Sequence, residues 1–186
     1  MLSATQHTPY TSYNAMDTPL FNAALIPKSV EARLPPGYTI RPLQASDYHR
    51  GVLQTLAVLT TVGDISESDF IKRFQYWQDR NDTYYNVVIV NDKDRVVAIG
   101  SVVIERKLIH HCASAGHIED IAVASSEQGK KLGLHLINTL TAIAEQVGAY
   151  KVILDCSDKN VPFYEKCGYT HSGNEMVLKF KKPGTL

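Results

Sequence analysis

The sequence predicts an α/β fold, a mixed sheet covered by helices, and three observations carry that expectation. Residues 84–90 and 95–104 are β-rich runs joined by Asn91-Asp92-Lys93-Asp94, the pattern of an antiparallel hairpin. Residues 117–123 form an apolar run followed by Leu132, Leu136, Leu140, Ile143 and Val147, whose three-and-four spacing lays one helical stripe against a sheet. Residues 151–156 are another short apolar run, and a strand reached through one long helix pairs in parallel by a right-handed crossover.

Taken in order, residues 1–36 are rich in Thr, Ser, Tyr, Asn and Pro, with an apolar patch at Leu20-Phe21 and residues 23–26. They read as a mostly irregular extension docking that patch on a domain of residues 37–186, with Pro35-Pro36-Gly37 at the boundary. Residues 38–43 alternate like a first strand. Ser46 is placed to cap a helix carrying Val52, Leu56 and Leu59, which ends near Thr60-Thr61-Val62-Gly63. Ser66-Glu67-Ser68-Asp69 resembles a capping box with Asp for Glu, opening a second helix through Phe70, Phe74 and Trp77. After the hairpin the chain runs through Glu105 to His111, and after Ser114-Ala115-Gly116 it returns as the central strand. Gly148 stops the long helix. Residues 160–166 read as a short helix with Pro162 in its first turn and Gly168 beyond it, and residues 177–180 as a last strand.

Composition sets the bounds. A chain of 186 residues suits one domain with a real core, and 44% apolar with 20% charged residues is neither disordered nor fibrous. Nineteen basic and nineteen acidic residues cancel, which argues against a broad nucleic-acid or anionic-membrane surface; any anion site must be local. The three cysteines, Cys112, Cys156 and Cys167, hold no Cys-x-x-Cys pair, so buried thiols in a reducing compartment are expected. No window approaches roughly 20 apolar residues, and the N-terminus lacks the basic-then-apolar order of a signal peptide. The expectation is a cytoplasmic protein with no membrane or nucleic-acid partner.

Between central strand and long helix stands Gln128-Gly129-Lys130-Lys131-Leu132-Gly133, whose glycines allow close approach to a backbone with free first-turn N–H groups, an end that attracts phosphate. A P-loop is excluded because Leu132 and Gly133 follow Lys131, and a dinucleotide fingerprint because two glycines at this spacing do not make Gly-x-Gly-x-x-Gly. The loop resembles the Gln/Arg-x-x-Gly-x-Gly/Ala loop of the GNAT superfamily of N-acetyltransferases, which holds the pyrophosphate of acetyl-CoA. Lys131 replaces the first motif glycine, so its side chain must point away from the phosphates or help neutralise them. The resemblance implies the GNAT fold, in which the parallel strands flanking the long helix splay apart around pantetheine.

It narrows in Glu105-Arg106-Lys107-Leu108-Ile109-His110, in residues 116–123, in residues 150–156, in Lys159-Asn160-Val161 and in residues 163–169. Together these resemble the eukaryotic glucosamine-6-phosphate N-acetyltransferases over about residues 38–180. The resemblance implies acetyl transfer from acetyl-CoA to the 2-amino group of glucosamine 6-phosphate, toward UDP-N-acetylglucosamine. It maps acetyl-CoA contacts onto Ile121, Ala122 and Val123, onto Gly129, Lys130, Lys131, Leu132, Gly133 and Leu134, and onto Asn160. Sugar-phosphate contacts fall on Thr60, Lys107, Leu108, Ile109, His110, Glu119, Asp120, Asp155, Tyr150, Lys151 and Lys179. At the last position a relative carries Arg, and lysine lacks the two-pronged fork. Tyr150, Lys151 and Lys179 would come from a second subunit, which implies a homodimer with shared active sites.

The amine must attack as the free base, yet an amino group of pKa about 8 is largely protonated at neutral pH. Asp155 is the first candidate to take the proton and Glu119 the second, directly or through water. Tyr164 is placed to donate to the departing thiolate, and a backbone N–H near Ile121 to hold the oxyanion of a tetrahedral intermediate formed by direct attack. Without the resemblance, Asp155 reads as a solvated strand end and Tyr164 as an aromatic packed beside Phe163 and Tyr169. No metal is expected, because His110, His111 and Cys112 form no complete ligand set. Two alternatives stay open: another GNAT N-acetyltransferase, for a protein lysine, an N-terminus or a polyamine, and a non-catalytic CoA-binding module. The first would need an open peptide groove or an acidic pocket, whereas the candidates here are basic. The second sits poorly with Glu119, Asp155 and Tyr164 together.

Overall fold

The computed structural model describes residues 15–180. Of the expected extension, residues 1–14 lie outside that range, as do residues 181–186 of the expected domain. Five strands, β1 (Tyr38–Pro42), β2 (Tyr84–Asn91), β3 (Val96–Arg106), β4 (Ser114–Val123) and β5 (Ala149–Ile153), make one sheet in chain order. All neighbours are antiparallel except β4 and β5, which are parallel. The helices are α1 (Lys28–Glu31), α2 (Val52–Leu56), α3 (Glu67–Gln78), a single turn α4 (Ile109–Cys112), α5 (Leu132–Gln146) and α6 (Val161–Lys166). Among the described residues no helix is long and apolar enough to cross a membrane.

β2 and β3 are buried along most of their length because they occupy the middle of the sheet, and their Val and Ile residues suit a pleated surface covered on both sides. α5 follows the crossover and packs on β2 to β5. It buries Leu132, Leu136, Ile137, Leu140 and Ile143 to 1% exposure or less, each stabilising by about 1.5–3 kcal/mol. Gly100 and Gly116 let it sit that close: a Cβ on Gly100 would run into Ile121, Leu136 and Leu140, and one on Gly116 would crowd Ala144 at 3.1 Å.

Residues ahead of β1 are part of this core. Leu20, Phe21 and Ile26 are buried, the Leu20 N–H donates to the Leu43 carbonyl (2.9 Å), and Phe21 meets Tyr85 edge-on at 5.1 Å. The apolar patch of the extension therefore docks.

Several sequence expectations are corrected. Ser46 caps no helix: it lies inside a 3-10 turn (Ala45–Tyr48), where buried Asp47 binds the Gln44 N–H, while the Ser46 hydroxyl donates to Asp17 (2.5 Å). Left-handed Gly51 (φ 88°) separates that turn from α2, which ends at Leu56 and leaves Leu59 half exposed. Ser66 does cap α3, accepting from the Asp69 N–H at 3.1 Å, but the Asp69 carboxylate takes the Ser66 hydroxyl instead of completing a box. β4 begins at Ser114, because residues 114–117 pair with β5 as well as β3, and β5 runs from Ala149 and stops at Ile153. Residues 177–180 form no strand: among the described residues the tail pairs with none, and Met176, Val177, Leu178 and Phe180 are 67–93% exposed. Cys112 and Cys156 are exposed, so they are not buried thiols, whereas Cys167 is half-buried against the core.

Candidate functional site

β5 pairs with β4 only from Ser114 to His117; past that point no residue of β5 lies beside the edge of β4. The register against β3 also slips there, Ser101 opposing Glu119 and Ile99 opposing Ala122, so the extra residue forms a β-bulge with Asp120 left-handed at φ 55°. Bulges re-aim side chains, and here Glu119 and Asp120 are both exposed instead of falling on opposite faces in strict alternation. The Ser101 hydroxyl ties the bulge to β3 by donating to the Glu119 carbonyl (3.3 Å).

Three carboxylates gather at this open end. Desolvation by the surrounding protein, and then the charges of Asp120 and Asp155, push the Glu119 carboxyl above its usual range, while His117 pulls the other way. Asp155 lies just past the end of β5 and lines a groove of about 840 Å³ along that strand's outer edge, together with Cys156, Tyr164 and the tail to Glu175. Tyr164 packs edge-on against Phe163 and Tyr169. Burial raises its phenol above the ordinary value, and among the described residues its hydroxyl has no hydrogen-bond partner.

α5 opens at the same end. Lys131, its N-cap, is left-handed at φ 63° and makes no side-chain cap, so among the described residues the N–H groups of Leu132, Gly133 and Leu134 have no partner. A Cβ at Gly133 would stand 3.4 Å from Phe163 and 3.7 Å from Val123, which locates this helix end between β4 and α6. Asn160 begins α6 with its side chain making no cap. An extended chain ending in a diphosphate fits this donor set: a strand edge for its amides and a helix end for its phosphates. The Lys130 ammonium points elsewhere, to Glu127 (2.6 Å) and the Tyr38 hydroxyl (2.8 Å).

The basic residues lie at the other end of the β4–β5 pair. Lys107 contacts Glu105 (2.6 Å), which also meets His117 (2.8 Å); Lys107 first and His117 second hold Glu105 below the usual carboxylate range. Leu108 and Ile109 are exposed, and His110, His111 and Cys112 are three successive left-handed residues (φ 53°, 59° and 60°). His110 stacks on Tyr150 at 5.0 Å, with the Lys151 ammonium 5.6 Å from the same ring. Lys151 pairs opposite Ala115, four residues along β4 from Glu119 and roughly 13 Å away at about 3.3–3.4 Å per residue, whereas Lys107 is linked toward Glu119 through Glu105 and His117. Thr60 lines a different cavity, between α2 and α3, and Lys179 sits exposed on the unpaired tail. The bulge, the His117–Glu105 pair and the Tyr38 contact carry no local sequence signal beyond the i, i+3 spacing of Glu127 and Lys130.

Comparison with known proteins agrees with this geometry. A family model described as "Acetyltransferase (GNAT) family" matches residues 45–169. The chain is 54% identical over 147 residues to a Candida albicans protein named glucosamine 6-phosphate N-acetyltransferase, covering 79% of this chain and 99% of that one. It is 40% identical over 151 residues to a Dictyostelium discoideum protein, glucosamine 6-phosphate N-acetyltransferase 1, covering 81% and 96%. Among solved structures, the crystal structure of glucosamine-6-phosphate N-acetyltransferase from Arabidopsis thaliana superposes with a TM-score of 0.76 at 38% identity, covering 77% of this chain and 99% of that one.

Proposed function

The chain belongs to the acetyltransferase (GNAT) family, and on that premise we propose that it transfers the acetyl group of acetyl-CoA to the 2-amino group of glucosamine 6-phosphate. The observation that carries the reading is the free edge of β4 beyond His117, set beside the uncapped first turn of α5. Bound acetyl-CoA supplies the acetyl group as a thioester. The backbone of Ile121, Ala122 and Val123 and the N–H groups from Gly129 to Leu134 hold it, with Asn160 at the start of α6.

Asp155 or Glu119 takes the proton of the acceptor amine, directly or through water, and the carboxyl of Glu119, raised by desolvation and its acidic neighbours, suits that role. Asp120 and Asp155 orient the ammonium form before that transfer. The Tyr164 hydroxyl, which has no hydrogen-bond partner among the described residues, keeps a proton available to the departing sulfur. The sugar phosphate is gripped by Lys107, His110, Tyr150, Lys151 and Lys179.

Tyr150, Lys151 and Lys179 come from a second copy, and two features support such a homodimer. β5 is an edge strand with Tyr150 and Ile153 exposed, and the tail after Tyr169 exposes Met176, Val177, Leu178 and Phe180. Residues 37–186 then form the catalytic domain and residues 1–36 an extension, of which Leu20, Phe21 and Ile26 dock on it, and the enzyme works in the cytoplasm toward UDP-N-acetylglucosamine.

The test is thiol release from acetyl-CoA with glucosamine 6-phosphate offered beside glucosamine, spermine and a lysine peptide. Turnover confined to the phosphorylated sugar is expected. Equal kcat/KM for glucosamine would reject the phosphate grip, and preference for an amine or peptide would reject the acceptor.

A further inference from the structure

The loop that leads into α5 is fastened from behind. At its start the Ala124 N–H donates to the Val97 carbonyl (2.8 Å), and a 3-10 turn, Ser125–Glu127, follows. The Glu127 carboxylate accepts hydrogen bonds from the Tyr38 hydroxyl and from Lys130 Nζ (2.6 Å), while Lys130 Nζ also donates to Tyr38 Oη (2.8 Å). The three side chains thus close a ring of hydrogen bonds. Tyr38 belongs to β1, 89 residues before Glu127, so the ring ties the loop to the far edge of the sheet. Only 14% of the Glu127 side chain is exposed, and Lys130 Nζ stands 5.5 Å from the centre of the Tyr38 ring.

We propose that Tyr38, Glu127 and Lys130 form a clasp that presets the loop from Gly129 to Gly133 for the diphosphate of acetyl-CoA, which makes Tyr38 and Glu127 positioning residues that never touch it. The inference rests on the cofactor reading of this loop given above. Gly129 and Lys131 are both left-handed, so the chain between them has freedom that an anion would otherwise have to remove on binding. The clasp removes it beforehand. It also settles the local charge: a lone carboxylate at Glu127 would repel a diphosphate, and Lys130 neutralises it. Each ion stabilises the other's charged form, Lys130 and then Tyr38 holding Glu127 below the ordinary carboxylate range. Recognition is left to backbone N–H groups and the Lys131 ammonium.

The experiment uses Tyr38→Phe, Glu127→Gln and the double variant, read by calorimetry with CoA alone and by steady-state kinetics. The expected result is a rise of roughly three- to tenfold in Kd for CoA and in KM for acetyl-CoA for each single variant, the range one ordinary net hydrogen bond supplies. kcat and KM for the sugar phosphate stay at wild-type values, and the double variant is no worse than the weaker single, as coupled residues require. A native circular-dichroism spectrum with unchanged Kd for CoA in either single variant overturns the clasp. Multiplicative effects in the double variant, or an equal rise in KM for both substrates, overturn it too. Calorimetry needs no acceptor, so the clasp is read out even if the acceptor assignment fails.

Discussion

The two ends of the β4–β5 pair use the same backbone in opposite ways. From Ser114 to His117 the strands are joined, and that end carries the positive and aromatic groups, His110 stacked on Tyr150 beside Lys151. Beyond His117 they part, and that end carries carboxylates, a bulge and the open helix terminus. A closed ladder satisfies its own amides and leaves only side chains for a ligand, whereas a parted one offers backbone donors and acceptors as well. On the proposed function, coenzyme and base belong at the parted end, and the joined end presents charge outward.

The largest effect expected from breaking this division is at Glu119. Glu119→Gln keeps the shape and removes the base, so kcat should fall about 10²–10³-fold with KM for acetyl-CoA unchanged. In the wild type activity should fall as pH drops through the raised Glu119 pKa, and that acid limb should vanish in the variant. A carboxyl with a raised folded pKa favours folding at low pH and opposes it above that pKa, so the variant should melt no lower than wild type at neutral pH. Full activity in Glu119→Gln would move the base elsewhere. Next comes the shared site: Lys151→Ala should raise KM for the sugar phosphate about ten- to hundredfold, one charge-assisted contact. Refolding it together with Glu119→Gln should restore about a quarter of wild-type activity, since half of randomly paired dimers are mixed and each holds one intact site. No recovery on mixing would place both ends in one chain's site.

Residues that act through local pattern were legible in the sequence. The Val/Ile runs of β2 and β3, the stripe of α5 and the stop at Gly148 follow from periodicity and turn chemistry. The gap beside Ala122 was legible only through the resemblance carried by the loop motif. What stayed hidden depends on contacts distant in sequence. The bulge falls at Asp120, where no glycine announces φ 55°. Leu20 and Phe21 complete a core built 20 to 80 residues later, among them Leu43 and Tyr85. A strand was expected at residues 177–180, but a short stretch of sequence cannot say whether a partner strand exists for it.

A smaller effect is expected at Gly100, which faces the bulge from β3. Adding one methyl would press on Ile121, Leu136 and Leu140 together, so Gly100→Ala should lose about 1–3 kcal/mol in urea unfolding. Because Ile121 adjoins the bulge, kcat should fall more than overall stability alone explains. Unchanged kcat would mean that the parted end tolerates displacement.

The smallest effect separates two reasons for a lysine at position 131. A non-glycine residue held at φ 63° costs about 1–2 kcal/mol, and glycine would relieve it at the expense of a more flexible unfolded chain. Lys131→Gly should therefore gain about 0.5–1 kcal/mol net, a rise of roughly 1–4 °C in Tm. A cation at a helix N-terminus opposes the helix dipole, so the lysine gains nothing there without an anion to neutralise. Its retention against both strain and dipole is accounted for if it meets the diphosphate, and KM for acetyl-CoA should then rise about two- to fivefold as Tm rises, the scale of one exposed charge contact. A higher Tm with unchanged KM would make the side chain a bystander and leave recognition to the N–H groups of the first turn.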